Sequence, residues 1–351
     1  DNITFTVETQ KVTTRANAYE KYDPDQHPLQ MGVFGYQANS QTSDHTLLGD
    51  FNNQQVIFDK TQSTWEYDPQ KKWEDYQEAR FFDFLAYMPY PDNTANTEKP
   101  ASVTIQSDAA KQTETYTLSI PYDPTTYTTA SPFLFDSKST PIICALPEHR
   151  EVKGEDGNKK SFDHTIRFKF DQTLIGYKLL FKLDPQMGVI RQFHIKNIQI
   201  TGKIPTSCTI TRNFIYNKTT QKWTAEEIQW RDTTLQTFTN ANPVIIPFKE
   251  SSLVVTSTDF SQWGGTFYTI PYAAFEPTIQ VTYDVEMKTQ DGTTIVTRKD
   301  VTSSIVLNES NFGKFNSSAT ATIYPIRILI QPRYLYVLTD QDAYTGHLLI
   351  D

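Results

Sequence analysis

The sequence is poor in the residues from which most catalytic and metal sites are built. Its 351 residues include 13 glycines, six histidines and two cysteines. No glycine cluster forms a phosphate-binding loop, and the chain has neither a Gly-x-Ser-x-Gly nor a His-Glu-x-x-His motif. A catalytic triad assembled from distant residues is the remaining route to an enzyme. We predict no catalytic residue, no cofactor and no metal ligand, and a protein that is not an enzyme.

Cysteine is too scarce to define a disulfide framework. Cys144 and Cys208 fall on either side of the domain boundary that we predict below. A disulfide needs Cα atoms within about 7 Å of each other, and nothing in the sequence brings these two residues together. We therefore expect two unbonded, buried thiols that act as small apolar side chains. Cysteine usage leaves the cellular compartment open.

Charge and hydropathy exclude two further classes of interaction. The chain has 32 Lys and Arg against 41 Asp and Glu, a formal net charge of −9, and no basic cluster. Nucleic-acid binding depends on clustered basic residues, so we predict no nucleic-acid partner. No apolar run approaches about 18 residues, so no helix is expected to span a bilayer. The sequence starts at Asp1 without a signal peptide, and we expect membrane attachment only through an N-terminal lipid anchor that preceded it.

What the chain has in abundance is alternation of apolar and polar residues. Large apolar side chains are plentiful, with 22 Phe and 19 Tyr. Period-two runs occur at residues 3–7, 103–105, 116–120, 166–170 and 279–287. Successive side chains of a strand point to opposite faces, so each run has one face to bury and one to hydrate. The pattern predicts an all-β protein of the antiparallel sandwich type, with at most a turn or two of helix within residues 71–79.

Turn signals agree with the strands and indicate where the chain divides. Asp291-Gly292 follows the longest alternating run and predicts a tight hairpin. The longest charged, glycine-containing loop spans residues 148–162, and domain boundaries favour such segments. We predict an N-terminal β-sandwich domain at residues 1–160 and a C-terminal β-sandwich domain at residues 161–351.

Three tryptophans in the second half of the chain have two open interpretations. They are Trp223, Trp230 and Trp263. Beside the glycines that follow it, Trp263 could present a flat ring to a sugar or a peptide, and the other two could do the same. Tryptophan is, however, mostly buried in folded proteins. We favour burial for each ring and keep all three as candidate ligand-facing aromatics.

A series of aromatic motifs in the first domain is more specific than composition. In chain order it comprises Phe51-Asn-Asn53-Gln-Gln-Val56, Trp65-Glu-Tyr67, Lys72-Trp73 and Phe84-Leu-Ala86-Tyr87-Met-Pro89. This order resembles the series Phe-x-Asn-x-x-Val, Trp-x-Tyr, Tyr-Trp and Phe-x-Ala-Tyr-x-Pro of the fimbrillin-like proteins of Bacteroidetes, the subunits of type V pili. The match departs at Lys72, where an aromatic residue usually stands, and at Glu74, where proline is common.

The resemblance extends more loosely into the second half of the chain. Phe162-Asp-His164 resembles the start of the second domain in that family, and residues 334–351 resemble its C-terminal tail. The family implies two tandem transthyretin-like antiparallel β-sandwich domains. It also implies export to the cell surface as an outer-membrane lipoprotein of the fimbrium. In the first of these domains we expect six aromatic residues to form the core: Trp65, Tyr67, Trp73, Phe82, Phe84 and Tyr87.

The same resemblance implies a route of assembly with other pilin subunits. A protease cut after Arg15, before Ala16, would remove the first strand, residues 1–15, and open a groove for a neighbour's strand. Residues 334–351 are the donor-strand candidate on this reading. Its alternating apolar residues are Tyr334, Tyr336, Leu338, Leu348 and Ile350. A strand can be replaced in this way because its backbone ladder does not depend on sequence.

A pilus subunit or tip adhesin is therefore our leading functional hypothesis, with a host protein or glycan as an additional partner. The alternative is a surface glycan-binding lipoprotein of a polysaccharide-uptake system, in which exposed Trp and Tyr rings are sugar platforms. A glycan array separates the two, because a shaft subunit shows no saturable sugar binding. The sequence does not distinguish a shaft, an anchor and a tip subunit.

Overall fold

A computed structural model defines the fold over most of the chain. The described residues are 1–11, 18–41, 43–90, 101–107, 111–119, 138, 140–186, 191–246, 248–272, 274–289, 291–308, 323–331 and 334–338. For residues 101–107, 111–119 and 334–338 the description covers the backbone. No helix within these ranges is long and apolar enough to cross a membrane.

Strands dominate the described residues, and the helical element among them is the three-residue 3-10 helix Trp73–Asp75. The strands are β1 (Thr4–Gln10), β2 (Tyr19–Lys21), β3 (Gln30–Ala38), β4 (Thr46–Asp59), β5 (Thr64–Glu66), β6 (Phe81–Met88), β7 (Ala101–Ser107), β8 (Lys111–Ser119), β9 (Ile142–Cys144), β10 (Glu148–Glu151), β11 (Thr165–Gln172), β12 (Ile175–Leu183), β13 (Arg191–Asn217), β14 (Lys222–Ala225), β15 (Gln229–Phe238), β16 (Val244–Ile245), β17 (Leu253–Val255), β18 (Ser261–Thr269), β19 (Thr278–Lys288), β20 (Thr294–Val306), β21 (Ile323–Gln331) and β22 (Tyr334–Leu338). The predicted all-β fold class is confirmed.

The chain forms two compact units, each assembled from segments that are separated in sequence. Of the described residues, those within 1–119, 138–174 and 207–233 form unit 1, and those within 175–206 and 234–338 form unit 2. Residues 161–174 and 207–233, which the boundary at residue 160 assigns to the C-terminal domain, lie in unit 1. An alternating run does not show which sheet the strand joins, so the sequence could not indicate that these two segments belong to unit 1. The tandem transthyretin-like arrangement stays a prediction.

Unit 1 is organised around a sheet with the strand order β2-β1-β11-β9-β6-β3-β4-β5, to which β10 adds by pairing with β6. The sheet curls, so that β1 near one end also contacts β5 at the other. We call the concave side of this sheet its inner face. Five of the six predicted core aromatics are buried, and Tyr67 is half-buried: the five are Trp65, Trp73, Phe82, Phe84 and Tyr87.

The outer face of this sheet has its own buried partners within unit 1. Residues 207–215 of β13 pair antiparallel with β8, and the end of β13 forms a hairpin with β14. All eight residues of β6 are buried, because β6 contributes to both faces. The thiols of Cys144 and Cys208 are buried and unbonded, which confirms that prediction.

Two strand pairs differ from the antiparallel arrangement that alternation predicts. In unit 1, β1 runs parallel to β11, from Thr4 opposite Thr165 to Thr9 opposite Phe170. In unit 2, β12 runs parallel to β21. Alternation reports which residues share a face and carries no information on strand direction. The remaining ladders between the described strands whose registers are assigned are antiparallel.

Unit 2 contains the four-stranded sheet β18-β12-β21-β22. A second sheet joins residues 191–206 of β13 to β16, β17 and β19, and joins β19 to β20. Gly292 has a φ of 86° in the turn between β19 and β20, a left-handed conformation that glycine adopts without steric cost. The hairpin predicted from Asp291-Gly292 is confirmed.

Candidate strand-exchange site

The first strand is held between two neighbours of unequal length. On one side, β1 pairs in parallel with β11 over six residues. On the other side it pairs antiparallel with β2 over three residues, Glu8, Thr9 and Gln10. The backbone of β1 is therefore tied to the body of unit 1 mainly through β11. If β1 left, the ladder groups of β11 on that side would lose their partners.

One face of β1 fills the core enclosed by the curled sheet. Ile3, Phe5 and Val7 are 0%, 4% and 6% exposed. The ring of Phe5 stacks on Phe168 at a centroid distance of 5.8 Å and meets Phe84 at 6.2 Å. Burying each of these three side chains, of Ile3 just before β1 and of Phe5 and Val7 within it, contributes roughly 1.5–3 kcal/mol. Loss of β1 would leave an apolar slot of matching shape.

The start of β1 is fixed by backbone contacts with the segment around the 3-10 helix. The hydroxyl of Tyr67 donates to the carbonyl oxygen of Ile3 at 2.9 Å, and the amide of Ile3 donates to the carbonyl of Lys71 at 2.9 Å. Burial raises the pKa of Tyr67 to about 12. The phenol is therefore protonated at neutral pH and is available as a donor to β1.

The predicted cleavage residues, Arg15 and Ala16, lie outside the described residues. The described chain approaches them from both sides, because the amide of Lys11 donates to the carbonyl of Ala18 at 2.7 Å. The segment that would be cut therefore connects two residues, Lys11 and Ala18, that are hydrogen-bonded to each other at the ends of β1 and β2. Cleavage after Arg15 stays a prediction.

The donor-strand candidate is described in its first part. The backbone of β22 pairs antiparallel with β21 of the same chain, with Tyr336 opposite Leu329 and Leu338 opposite Arg327. The segment that begins at Tyr334 is therefore already part of a sheet in unit 2. Leu348 and Ile350 lie outside the described residues. Donation by these residues stays a prediction.

The three candidate ligand-facing tryptophans are anchored by their indole nitrogens. Trp263 is buried, donates to the carbonyl of Ile246 at 3.0 Å and stacks on Phe248 at 4.1 Å. Trp230 is half-buried and donates to the carbonyl of Thr173 at 3.0 Å. Trp223 is buried and donates to a carboxylate described below. Burial is confirmed for Trp223 and Trp263, while a ligand-facing role for Trp230 stays a prediction.

A buried carboxylate on the outer face was not found from the sequence. Asp83 on β6 is 1% exposed. Its oxygens lie 2.9 Å from Nδ1 of His45 and 2.7 Å from Nδ1 of His149, and Nε1 of Trp223 donates to it at 2.6 Å. Burial acts to raise the pKa of Asp83, but the hydrogen bonds from His149 and His45 outweigh it and hold the pKa below its usual range. The one acidic residue in the apolar run 81–88 was the available signal.

The histidine contacts of Asp83 extend into a ring cluster with β13. Tyr216 lies 4.6 Å from the His45 ring and 5.0 Å from the Trp223 ring, measured between centroids. Asp83 is thus the acceptor that joins β6, β10 and the β13–β14 hairpin, and we assign it a structural role in unit 1.

Comparison with known proteins finds similar solved structures at low sequence identity. No protein-family model and no curated protein sequence matches the chain. A fimbrial protein from Bacteroides vulgatus is similar over 98% of this chain and 99% of its own, at 14% identity and a TM-score of 0.47. A candidate cell adhesion protein from Bacteroides uniformis is similar over 96% and 95%, at 13% identity and a TM-score of 0.44.

A further similar structure is a fimbrial anchor protein. Mfa2 from Porphyromonas gingivalis is similar over 96% of this chain and 95% of its own, at 11% identity and a TM-score of 0.32. By their descriptions these three solved structures are fimbrial or cell adhesion proteins.

Proposed function

We propose that this protein is a fimbrillin-like pilus subunit or tip adhesin at the cell surface. In this proposal it is exported as an outer-membrane lipoprotein, and assembly replaces β1 with a strand from another subunit. The observation that carries the proposal is the way in which β1 is packed and paired in unit 1. Three side chains at the first strand fill an aromatic core, and the backbone of β1 pairs with β11 over six residues but with β2 over only three.

Strand replacement follows from the physical state of the slot after β1 has left. The slot would combine an unpaired edge of β11 with an apolar trough lined by Phe51, Phe84 and Phe168. An unpaired edge is a template for another strand, and alternate apolar side chains supply the specificity. The intact subunit blocks its own slot, so assembly waits for the cut.

The proposed donor is the segment 334–351 of a neighbouring copy. About five inward side chains supply roughly 8–15 kcal/mol of burial at 1.5–3 kcal/mol each. Ordering ten residues costs a comparable ~10–20 kcal/mol of backbone entropy. The gain therefore depends on the ladder bonds of β11 and on the slot being empty. Because β22 is paired with β21 in its own unit, the donor exchanges one ladder for another.

Limited proteolysis of the full chain tests this proposal. An arginine-specific protease should cut after Arg15 and produce polymers whose size increases with protein concentration, measured by size-exclusion chromatography with light scattering. An Arg15→Ala variant should stay monomeric under the same protease. Arg298→Ala, which removes an exposed arginine on β20, is the matched control and should polymerise like the parent.

A second variant tests the donor. Deletion of residues 334–351 should leave cleavage at Arg15 intact and abolish polymer formation. Polymerisation of the Arg15→Ala variant at the parent's rate would show that cleavage after Arg15 is not required. Polymerisation of the deletion variant would show that residues 334–351 are not the donor strand. Monomeric behaviour of the fully cut parent at all concentrations would overturn strand exchange itself.

A further inference from the structure

A tyrosine of β2 reaches across the end of β1. Tyr19 is paired with Gln10 of β1 in the β1–β2 ladder. Its hydroxyl donates to Oδ1 of Asp171 on β11 at 2.5 Å. Since β1 lies between β2 and β11 in the sheet, this hydrogen bond joins the two neighbours of β1 to each other.

The bond crosses β1 on the outer face of the sheet. Thr9 stands opposite Phe170, so Gln10, the next residue, lies level with Asp171. Residues that are level in adjacent strands point to the same side of a sheet. Tyr19, Gln10 and Asp171 therefore share the outer face, with Gln10 in the middle. Gln10 is buried beneath the crossing, and its Oε1 accepts the amide hydrogen of Gln172 at 3.1 Å.

The acceptor of this bond is itself held from a different sheet of unit 1. Nη1 of Arg212 on β13 lies 2.7 Å from Oδ2 of Asp171 and also donates to the carbonyl of Cys144 at 3.2 Å. The side chains of Arg212 and Asp171 are 11% and 13% exposed. A charge-assisted pair of this kind is stronger than a neutral hydrogen bond. Arg212 thus holds the Asp171 carboxylate in place as the acceptor for Tyr19.

Tyr19 is suited to be a permanent donor. Burial and the hydrogen bond to Asp171 raise the pKa of the Tyr19 phenol above its ordinary value. The ammonium group of Lys169 lies 5.4 Å from the centre of the Tyr19 ring, over its face. Both the hydroxyl and the ring of Tyr19 thus contact side chains of β11.

The other end of β2 is also attached to strands other than β1. The ring of Tyr22 packs against Phe58 at 4.9 Å and Trp65 at 5.0 Å, and its hydroxyl donates to the carbonyl of Pro28 at 2.6 Å. These contacts belong to β4, β5 and the segment that leads into β3. β2 is consequently held at both ends by side chains whose partners lie outside β1.

We propose that the hydrogen bond from Tyr19 to Asp171, anchored by Arg212, is a strap that closes over β1 and sets the rate at which strands leave and enter the slot. This inference rests on the proposed strand exchange. The core blocks departure of β1 through the inner face, while β2 and β11 block it sideways, so the strap closes the outer face at Gln10. The strap is formed whichever strand lies beneath it, so opening it is a kinetic requirement for exchange in both directions.

The strap predicts a kinetic signature that differs from ordinary destabilisation. A Tyr19→Phe variant keeps the ring and loses one hydrogen bond to a charged acceptor. Release and insertion of the strand should both become roughly tenfold to a hundredfold faster. The equilibrium affinity for the strand should stay within about twofold, because the two rates change together. A residue that only stabilised bound β1 would increase release and leave insertion unchanged.

The experiment uses the full chain with a site-specific protease sequence in place of residues 12–17. After cleavage, a fluorescein-labelled peptide of residues 1–11 is added in excess, and its incorporation is followed by anisotropy; dilution with unlabelled peptide then gives the release rate. Tyr76→Phe is the matched control, because its hydroxyl also donates to a carboxylate, Asp50, at 2.9 Å. Tyr19→Phe should exchange faster in both directions, and Tyr76→Phe should match the parent.

A second measurement separates the strap from strand exchange. In the uncut chain, hydrogen–deuterium exchange at the amides of Gln10 and Glu20 should be roughly tenfold faster in Tyr19→Phe than in the parent, and unchanged in Tyr76→Phe. Equal peptide kinetics in Tyr19→Phe and the parent would overturn the strap while strand exchange stands. If the peptide enters no variant, the proposed strand exchange is wrong. Independently of that result, unchanged amide protection in the uncut Tyr19→Phe variant would show that the strap does not hold β1.

Discussion

The two faces of the curled sheet in unit 1 are built from different kinds of contact. On the inner face, aromatic rings meet at centroid distances of 5.3–6.2 Å: Phe5, Phe51, Phe84 and Phe168. On the outer face, two carboxylates are buried among donors, Asp83 among two histidines and a tryptophan, and Asp171 between a tyrosine and an arginine. The inner face is thus held by ring packing, whereas the outer face includes two buried carboxylates with specific donors.

This difference determines how specific the packing on each face is. Apolar burial is non-directional, so the inner face places few demands on the identity of the apolar side chains that β1 supplies. A buried carboxylate is stable only with its particular donors in place. The outer face therefore fixes which segments of unit 1 belong together, and the inner face is the one to which the proposed strand exchange applies.

The largest effect is expected from a cavity on the inner face. Phe84→Ala removes a fully buried ring that contacts Phe5 and Phe51, and should reduce the free energy of unfolding of unit 1 by about 3–5 kcal/mol. Urea unfolding followed by tryptophan fluorescence measures the change. Ile57→Ala, at a side chain that is 44% exposed, should change stability by less than about 1 kcal/mol. Equal effects of the two variants would show that the inner face is not the core.

A smaller effect, with a dependence on pH, is expected at the outer face. Asp83→Asn should reduce the free energy of unfolding by about 1.5–3 kcal/mol at pH 7, because three donors lose a charged acceptor. Asp259→Asn, at an exposed position, is the matched control and should have no measurable effect.

The sign of the pH dependence follows from the depressed pKa of Asp83. A carboxylate whose pKa is lower in the folded state contributes stability that is present above its unfolded pKa, about 3.9, and is lost as pH falls through the folded value. The stability difference between the parent and Asp83→Asn should therefore hold from pH 7 to about pH 5 and shrink below about pH 4. A difference that grew on acidification would contradict the assignment of Asp83 as a buried anion.

The smallest effect is expected where one neutral hydrogen bond holds the start of β1. Tyr67→Phe keeps the ring on the inner face and removes the donor to the Ile3 carbonyl, so the cost should be about 0.5–1.5 kcal/mol. Amide hydrogen exchange at Phe5 should increase more than exchange at Phe168 if the bond acts locally on β1. A uniform increase at both amides would mean that Tyr67 supports the whole sheet instead.

The inner face could be predicted from the sequence because its signals are local. Ile3, Phe5 and Val7 alternate with polar residues, and alternation alone indicates a strand with one buried face. The aromatic motifs named Trp73 and Phe84 as core residues, and both are buried. These features need no knowledge of which strands are neighbours, so the chain reveals them directly.

The outer face could not be predicted because it depends on segments far apart in the chain. Asp83 meets Trp223 across 140 residues, and Tyr19 meets Asp171 across 152. No pattern in the sequence states that these residues approach each other. For the same reason, the sequence could not predict that β1 runs parallel to β11 or that β11 belongs to unit 1.

The separation of β1 from its partner has a consequence for the order of events during synthesis. Thr4 and Thr165 are neighbours in the ladder although 161 positions separate them. Contacts between distant segments form slowly, because a long loop must close first. β1 is therefore synthesised well before β11, and until β11 follows, the β1 backbone lacks the strand with which it pairs over six residues. In the proposed strand exchange, the edge of β11 would return to this unpaired state when β1 leaves.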